Sequence, residues 1–456
     1  MATLFNRQWV RWAICWLLLC QIQGFSVVDR MFYGNWLGKP GNKFTQFINI
    51  SQIIISIILF VTGSRRWASL QGSAILSLSL AAFLLCSAAW SVDAGATART
   101  GISYFFFILG LIGAAENVEG DDFMELLALV CFLSAIASLS LLFISPSLAD
   151  GGTGDLIGIF SYKGMLGQAM AVGGLACLHG LRTQKRSRLL GLFMILVFTF
   201  VAFKCRSTTS ALVILLFYAL GAVIQLLQKR GTARILGVVL LTLLLFVVPV
   251  AAMSLDSLLE LIGKDPTLTG RTDIWGYVVP YIYQRPLLGW GYAAFWSTLN
   301  PAAWEIANAL RWFSPEAHNG LLEILLSGGL VGAVWFLYLW VRTVRLSLRC
   351  IRYDSAMAIT CLSCCAGILA EGVSEQVMLY VTGLNGVFFI TGFFCEQAVS
   401  RGRQRRPVAL SNVVRIQSAH VAPPLATVKF WPSEEQPDAV RRRRLSRFAS
   451  TERPGG

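Results

Sequence analysis

The chain has 456 residues, of which 55% are hydrophobic and only 14% charged, with a mean hydropathy of +0.63. A water-soluble globular protein carries roughly 25% charged residues, so that class is excluded and a polytopic membrane protein remains. The net charge of +14 is uneven: from Arg401 onward twelve Lys and Arg stand against four Asp and Glu, a balance suited to an anionic membrane surface rather than to nucleic acid.

The first apolar run follows Arg7 and Arg11 and has no small-residue cleavage site, so it reads as a signal-anchor helix. Apolar windows predict about twelve spans, near 10–28, 45–63, 69–90, 99–117, 122–145, 163–181, 188–204, 208–228, 234–254, 316–341, 355–373 and 377–397. Alternate connectors are basic, which places both termini in the cytoplasm. The other set, 29–44, 91–98, 146–162, Lys204–Ser207, 254–315 and 374–376, then faces outward. The expected organisation is transmembrane helices over 1–253, one large external loop over 254–315, further membrane helices over 316–397, and a basic disordered cytoplasmic tail over 398–456.

The eleven cysteines lie mostly in apolar runs, and an odd number does not form a full disulfide framework. Cys361-x-x-Cys364-Cys365 has half of a zinc spacing but no second ligand pair, and no His/Asp cluster has metal spacing, so no metal is inferred. There is no P-loop and no Gly-x-Ser-x-Gly elbow. Gly328-x-x-x-Gly332 reads as a close-packing signal between helices.

Three histidines allow an elimination. His179 ends an apolar span on the cytoplasmic side and His420 is in the tail, which leaves His318 as the external imidazole at a membrane boundary. Ser314 as N-cap and Pro315 as first helical residue predict a helix start there, with His318 in its first turn. The positive end of the macrodipole would keep that imidazole neutral and able to take a proton from a hydroxyl; a purely capping role is the alternative. The external arginines Arg206, Arg271, Arg285 and Arg311, with Lys163 and Lys204, are the groups able to hold a phosphate. For Lys204 and Arg206 the alternative is snorkelling to headgroups. Glu323, Glu371 and Glu375 are the acids near the outer face; Glu323 lies off the His318 side of the helix and is not expected to orient it. Trp275, Trp290, Trp296, Trp304 and Trp312 could stack on sugar rings or anchor at the interface.

Three motifs in this order, Gly270-Arg271-Thr272-Asp273-Ile274-Trp275, Pro286-Leu287-Leu288-Gly289-Trp290-Gly291 and His318-Asn319-Gly320-Leu321-Leu322-Glu323, resemble the O-antigen ligase and polysaccharide polymerase superfamily. Trp90-Ser91 leading to Arg99, and Arg206 followed by Ser207, are similar to two shorter patches of that family. Within it the chain looks most like exopolysaccharide repeat-unit polymerases of the succinoglycan type. The resemblance implies a GT-C type glycosyltransferase of the bacterial inner membrane that needs no metal or nucleotide cofactor. It implies undecaprenyl-diphosphate-linked oligosaccharide as donor, membrane lipids as surroundings, and export and chain-length proteins as candidate partners. Carried onto this sequence, Arg206 and Arg271 would hold the diphosphate and His318 would activate the acceptor hydroxyl or assist the leaving group. Arg311 and Lys163 are supplementary phosphate candidates, and Asp93 and Arg99 receive no role because Val92-Asp93-Ala94 lacks the usual Pro. A ligase acting on lipid A core and a lipid-linked oligosaccharide transporter are the competing readings.

Overall fold

The computed structural model describes residues 2–33, 43–63, 72–151, 154–240, 271–381 and 383–419. The part of the expected loop before residue 271, and most of the predicted span 234–254, lie outside the described residues. The regular secondary structure of the described residues is helical, apart from a single bridge between Asp150 and Leu156. Apart from the short turns Ser87–Ala89 and Pro146–Ala149, the main helices are α1 (Ala2–Gln21), α2 (Ser26–Tyr33), α3 (Lys43–Gly63), α4 (Gly72–Cys86), α5 (Ala94–Asn117), α6 (Gly120–Ile144), α7 (Lys163–Arg182), α8 (Arg188–Lys204), α9 (Thr208–Gln228), α10 (Arg271–Gln284), α11 (Pro301–Leu310), α12 (Gly320–Cys350), α13 (Ser355–Gly372) and α14 (Gly383–Ala419). Residues 405–456 form a separate unit, described only as a helical continuation to Ala419.

Among the described residues, eight helices are long and apolar enough to cross a membrane: α3, α4 with its following turn, α5, α6, α7, α9, α12 and α13. Their outward faces carry what water would not tolerate. Ile50, Ile54 and Val61 of α3 are each at least half exposed, and Leu189, Leu192, Leu196 and Phe200 of α8 form a similar stripe. Such continuous apolar faces belong in lipid. The protein is a multi-pass membrane protein. Three further expected spans correspond to α1, to the 17-residue α8 and to α14.

Helices approach closely where side chains are small. A Cβ on Gly113 of α5 would stand 2.5 Å from the Leu59 backbone of α3, and one on Gly110 would meet Ser56 at 2.4 Å. Gly328 and Gly332 of α12 both face Phe83 of α4, the packing role expected of that pair.

Two predicted spans differ from the structure. The run 10–28 is not continuous: it turns at residues 22–25, where Gln23 takes a left-handed conformation (φ 54°), and α2 then leaves at a new angle. Arg30 of α2 donates to the carbonyls of Leu148 (2.5 Å) and Gly158, so the break is fixed from the side. The run 316–341 begins late, at Gly320, and is broken at Gly329 (φ 61°, ψ −159°).

The connectors that charge alternation assigns to one side are found together. Segment 29–44 meets 146–162 through Arg30, 91–98 meets the loop before α11 through Val92 N to Trp290 O (3.2 Å), and Thr209 bonds Ser374 (3.0 Å). At the other end of the bundle His179 bonds Asp121 and Thr360, and Arg342 bonds Glu396.

Candidate active site

The stretch from Arg271 to Asn319 is a small folded unit, not an open loop. Ile274 and Val278 of α10, Trp290, Phe295, Ala302 and Ile306 of α11, Ala317 and Leu326 make an apolar cluster of their own. This unit is docked onto the break in α12. Trp290 N donates to Leu326 O (2.6 Å), and Leu330 N and Val331 N donate to Pro286 O (2.8 Å) and Leu287 O (3.2 Å). The amides freed by the kink at Gly329 are thus satisfied by the Pro286–Gly291 turn, as backbone in a membrane protein must be. The segment after α4 clasps the same turn: Trp90 Nε1 donates to Leu288 O (3.1 Å), and Arg285 donates to Trp90 O (3.2 Å) while lying over the Trp290 ring. Asp93, given no role from sequence, caps α5 through Ala96 N (2.9 Å) and accepts from Ser297 Oγ (2.5 Å). Arg285 and Asp93 are therefore docking residues.

His318 is not in a helix. Asn319 is the N-cap of α12, accepting from the amides of Leu321 (3.0 Å) and Leu322 (3.1 Å), and His318 precedes it with φ 48°. Local preference at Ser314 and Pro315 is overruled by tertiary bonds. Ser314 Oγ donates to Glu316 O (2.7 Å); Ala317, fully buried, gives its amide to Glu323 (2.5 Å) and takes Trp275 Nε1 on its carbonyl (2.9 Å). Glu323, read from sequence as uninvolved, holds the peptide next to the histidine and also accepts from Trp296 Nε1 (2.7 Å). Arg271 and Trp275, one helical turn apart on α10, reach the same place.

Four charges gather there. Arg271 Nη2 lies 2.9 Å from Glu375 Oε1. His318 Nδ1 lies 2.8 Å from Glu316 Oε1 and 3.8 Å from Glu375 Oε2. All four side chains are mostly covered, at 20%, 16%, 24% and 8% exposure for Arg271, Glu375, His318 and Glu316. The Glu316 contact is an ion pair whose N–H is not aligned with the oxygen. Burial alone would depress the imidazole, but Glu316 and Glu375 outweigh it, and the His318 pKa is pushed up to about 9. The neutral imidazole expected from sequence is thus corrected to an imidazolium near pH 7. The cause is that the helix dipole is not aimed at it and two carboxylates are. The donor atoms of Glu316, His318 and Glu375 lie within 4.8 Å of one another, close enough to share a cation. Two carboxylates with one imidazolium and one guanidinium are already neutral, so the group needs no metal for charge balance.

A second basic group lies at the start of α7 and α9. Lys163 Nζ is 2.8 Å from Asp155 Oδ2, and Arg206 Nη1 is 3.9 Å from Asp155 Oδ1 with 69% of its side chain exposed. Arg206 takes φ 53° just before Ser207 caps α9. The Thr209–Ser374 bond sets this turn against the segment that carries Glu375. The phenol of Tyr162, beside Lys163, is pushed well above its ordinary value, first by burial and then by Glu316 and Glu375.

Residues 202–337 match the O-antigen ligase family. An 86-residue stretch is 34% identical to the exopolysaccharide production protein ExoQ of Rhizobium meliloti (strain 1021), covering 18% of this chain and 20% of that protein. The chain thus spans about a fifth of the curated relative's length in that match.

The matched segment includes Arg206, Arg271, Arg311, Glu316 and His318, while Lys163, Asp155 and Glu375 come from outside it. Of the residues singled out from sequence, the structure joins Arg271 to His318 through Glu375, and Arg206 to Lys163 through Asp155. Arg311 joins neither group. It ends α11 in a left-handed conformation (φ 63°), is exposed, and pairs with no acid among the described residues. Sequence reasoning missed Glu316 as a partner of His318; its place two residues before the one external imidazole was the available signal.

Proposed function

We propose that this protein is a glycosyltransferase that joins undecaprenyl-diphosphate-linked oligosaccharide units into exopolysaccharide at the outer face of the bacterial inner membrane. Both termini would be cytoplasmic, as the basic connectors argue. The observation that carries the reading is Glu375: one carboxylate touches both Arg271 and His318, the two residues on which the motif resemblance converges.

Diphosphate is a good leaving group, so the protein has chiefly to position it and balance its charge. Arg271, Arg206 and Lys163 are cations kept in place by Glu375 and Asp155 until phosphate oxygens replace those carboxylates. A guanidinium that binds the leaving diphosphate more tightly as charge develops lowers the barrier, not merely the ground state. His318 exchanges a proton with the acceptor hydroxyl. Nothing in this scheme calls for a metal ion or a nucleotide.

The similarity to an exopolysaccharide production protein favours a polymerase over a ligase acting on lipid A core; the O-antigen ligase match is the observation in favour of the second reading. Sizing the surface glycans of a deletion strain on gels tests both. Single lipid-linked units in place of chains supports the polymerase. Full-length chains never joined to core supports the ligase, and unchanged glycans overturn both.

A further inference from the structure

Both carboxylate contacts of the His318 ring are made through Nδ1. Nδ1 is sealed from solvent, yet the side chain as a whole keeps 24% of its surface open, so the opening falls on the rest of the side chain. Glu316 is the nearer carboxylate and is itself 8% exposed. The peptide that follows it is held at both its polar atoms, by Ser314 Oγ on the Glu316 carbonyl and by Glu323 on the Ala317 amide. Glu375 is shared with Arg271, so Glu316 is the acid this imidazole has to itself.

We propose that Glu316 is a positioning residue for the transfer step: it holds the Nδ1 edge of His318 and leaves Nε2 as the ring atom that exchanges a proton with the acceptor hydroxyl. The inference rests on the glycosyl-transfer reading above. In the step, which the neutral fraction of the ring carries out, the acceptor O–H bond breaks and its proton goes to the unprotonated Nε2. The oxygen bonds the anomeric carbon, and the bond from that carbon to the diphosphate breaks with its electron pair leaving on phosphate. Glu316 then faces the imidazolium that forms, as an oriented carboxylate does in other acid–base pairs. The misaligned contact is of the kind that tightens when substrate binds.

The groups facing the ring are Glu316 and Glu375 with its partner Arg271, and Glu323 from α12; Tyr162 at the start of α7 and Tyr380 act on Glu316, and Glu371 of α13 acts on Glu375. Removing the Glu316 charge leaves Glu375 as the remaining acid on Nδ1.

The test compares wild type with Glu316→Gln and Glu316→Asp. Purified protein in detergent, labelled at histidine nitrogen, gives the His318 titration without any substrate, with His318→Ala to assign the signal. Glu316→Gln should lower the midpoint so that, at a fixed pH below both midpoints, the neutral fraction rises about tenfold, and Glu316→Asp should fall between. In membranes supplied with lipid-linked saccharide from a deletion strain, the pH at which transfer stops rising should move down with it. An unmoved titration in both variants overturns the proposal, as does activity lost with an unmoved pH profile. If wild type transfers nothing, the functional reading fails, while the titration still decides whether Glu316 controls the ring. If Glu316→Gln does not accumulate, the Glu316→Asp titration decides alone, a lowered midpoint supporting the proposal and an unmoved one overturning it.

Discussion

Arg271 and Glu375 stand 104 residues apart in the chain and 2.9 Å apart in space. The pair ties the first residue of α10 to the segment between α13 and α14, and both partners are largely covered. Breaking a covered pair from one side strands the other charge, which costs more than removing both. Arg271→Ala and Glu375→Gln should each abolish or cut polymer formation by at least about tenfold. The double variant should be no worse than the poorer single one, because the two act as a unit. Polymer yield per amount of membrane-inserted protein measures this, and strictly additive losses would sink the linkage.

Trp275 serves His318 without touching it. Its indole N–H is the partner of the buried Ala317 carbonyl. Trp275→Phe keeps the apolar packing and leaves that carbonyl unsatisfied, a cost of about 1–3 kcal/mol. The expected result is a lower melting temperature in detergent together with reduced transfer. A variant that melts like wild type and transfers normally would show that the His318 loop is held by Glu323 alone.

Arg206 and Arg311 are equal candidates by residue type and differ in place. Arg206 shares Asp155 with Lys163 on a turn set against the Glu375 segment, whereas Arg311 caps α11 facing solvent. Arg311→Ala should leave polymer length and yield near wild type. Arg206→Lys should reduce yield, since a point charge does not reproduce a bidentate fork. Reversed outcomes, read on the same glycan gels, would move the phosphate site to the α11 end.

The sequence is legible where the deciding contacts are local. The bounds of α7, α8 and α9 follow charged or capping residues such as Lys163, Arg182, Ser187 and Ser207, and the apolar windows come within a residue or two of them. The turn at residues 22–25 lies inside an apolar run interrupted by Gln21, Gln23, Gly24 and Ser26, and the bonds that hold α2 come from Arg30 to Leu148 and Gly158. At Ser314-Pro315 local signals point to a helix start, and bonds from Trp275 and Glu323 delay it by several residues. That delay takes His318 off the helix end and reverses its expected charge state. Arg271 and His318 stand out as residue types, while Glu375 acquires its meaning only through folding.

The His318 pKa carries a stability consequence with a definite sign. Its folded value, about 9, lies above the ordinary 6.5, so the imidazolium stabilises the fold fully below about pH 6.5. That contribution is lost as pH rises through about 9, and for a site this covered it is on the order of 2–3 kcal/mol. Wild type should therefore lose melting temperature between pH 6.5 and 9.5 relative to His318→Gln, whose profile should be flatter. Parallel profiles for the two proteins would remove the charged imidazole from the structure.

Glycine provides the sharpest test of how the Arg271–Asn319 unit is docked. Gly289 has φ 68°, and a Cβ there would lie 2.6 Å from Leu326 O and 2.8 Å from Gly329 N. Both are backbone atoms of the broken helix and have no side-chain freedom to yield. Gly329 (φ 61°) is its mirror, with Leu287 backbone at 2.3 Å. Gly289→Ala or Gly329→Ala must therefore push the turn off α12 and break the bonds from Trp290, Leu330 and Val331. Left-handed strain adds roughly 1 kcal/mol or more. Gly276 on α10 is the control, for a Cβ there meets nothing within 4 Å. Gly276→Ala should be neutral or stabilise by up to about 1 kcal/mol through helix propensity. Protease sensitivity of membrane-inserted protein reads the difference. The two docking variants should be cut within residues 271–319, where wild type and Gly276→Ala resist; equal resistance in all four would mean that the turn does not depend on this close approach.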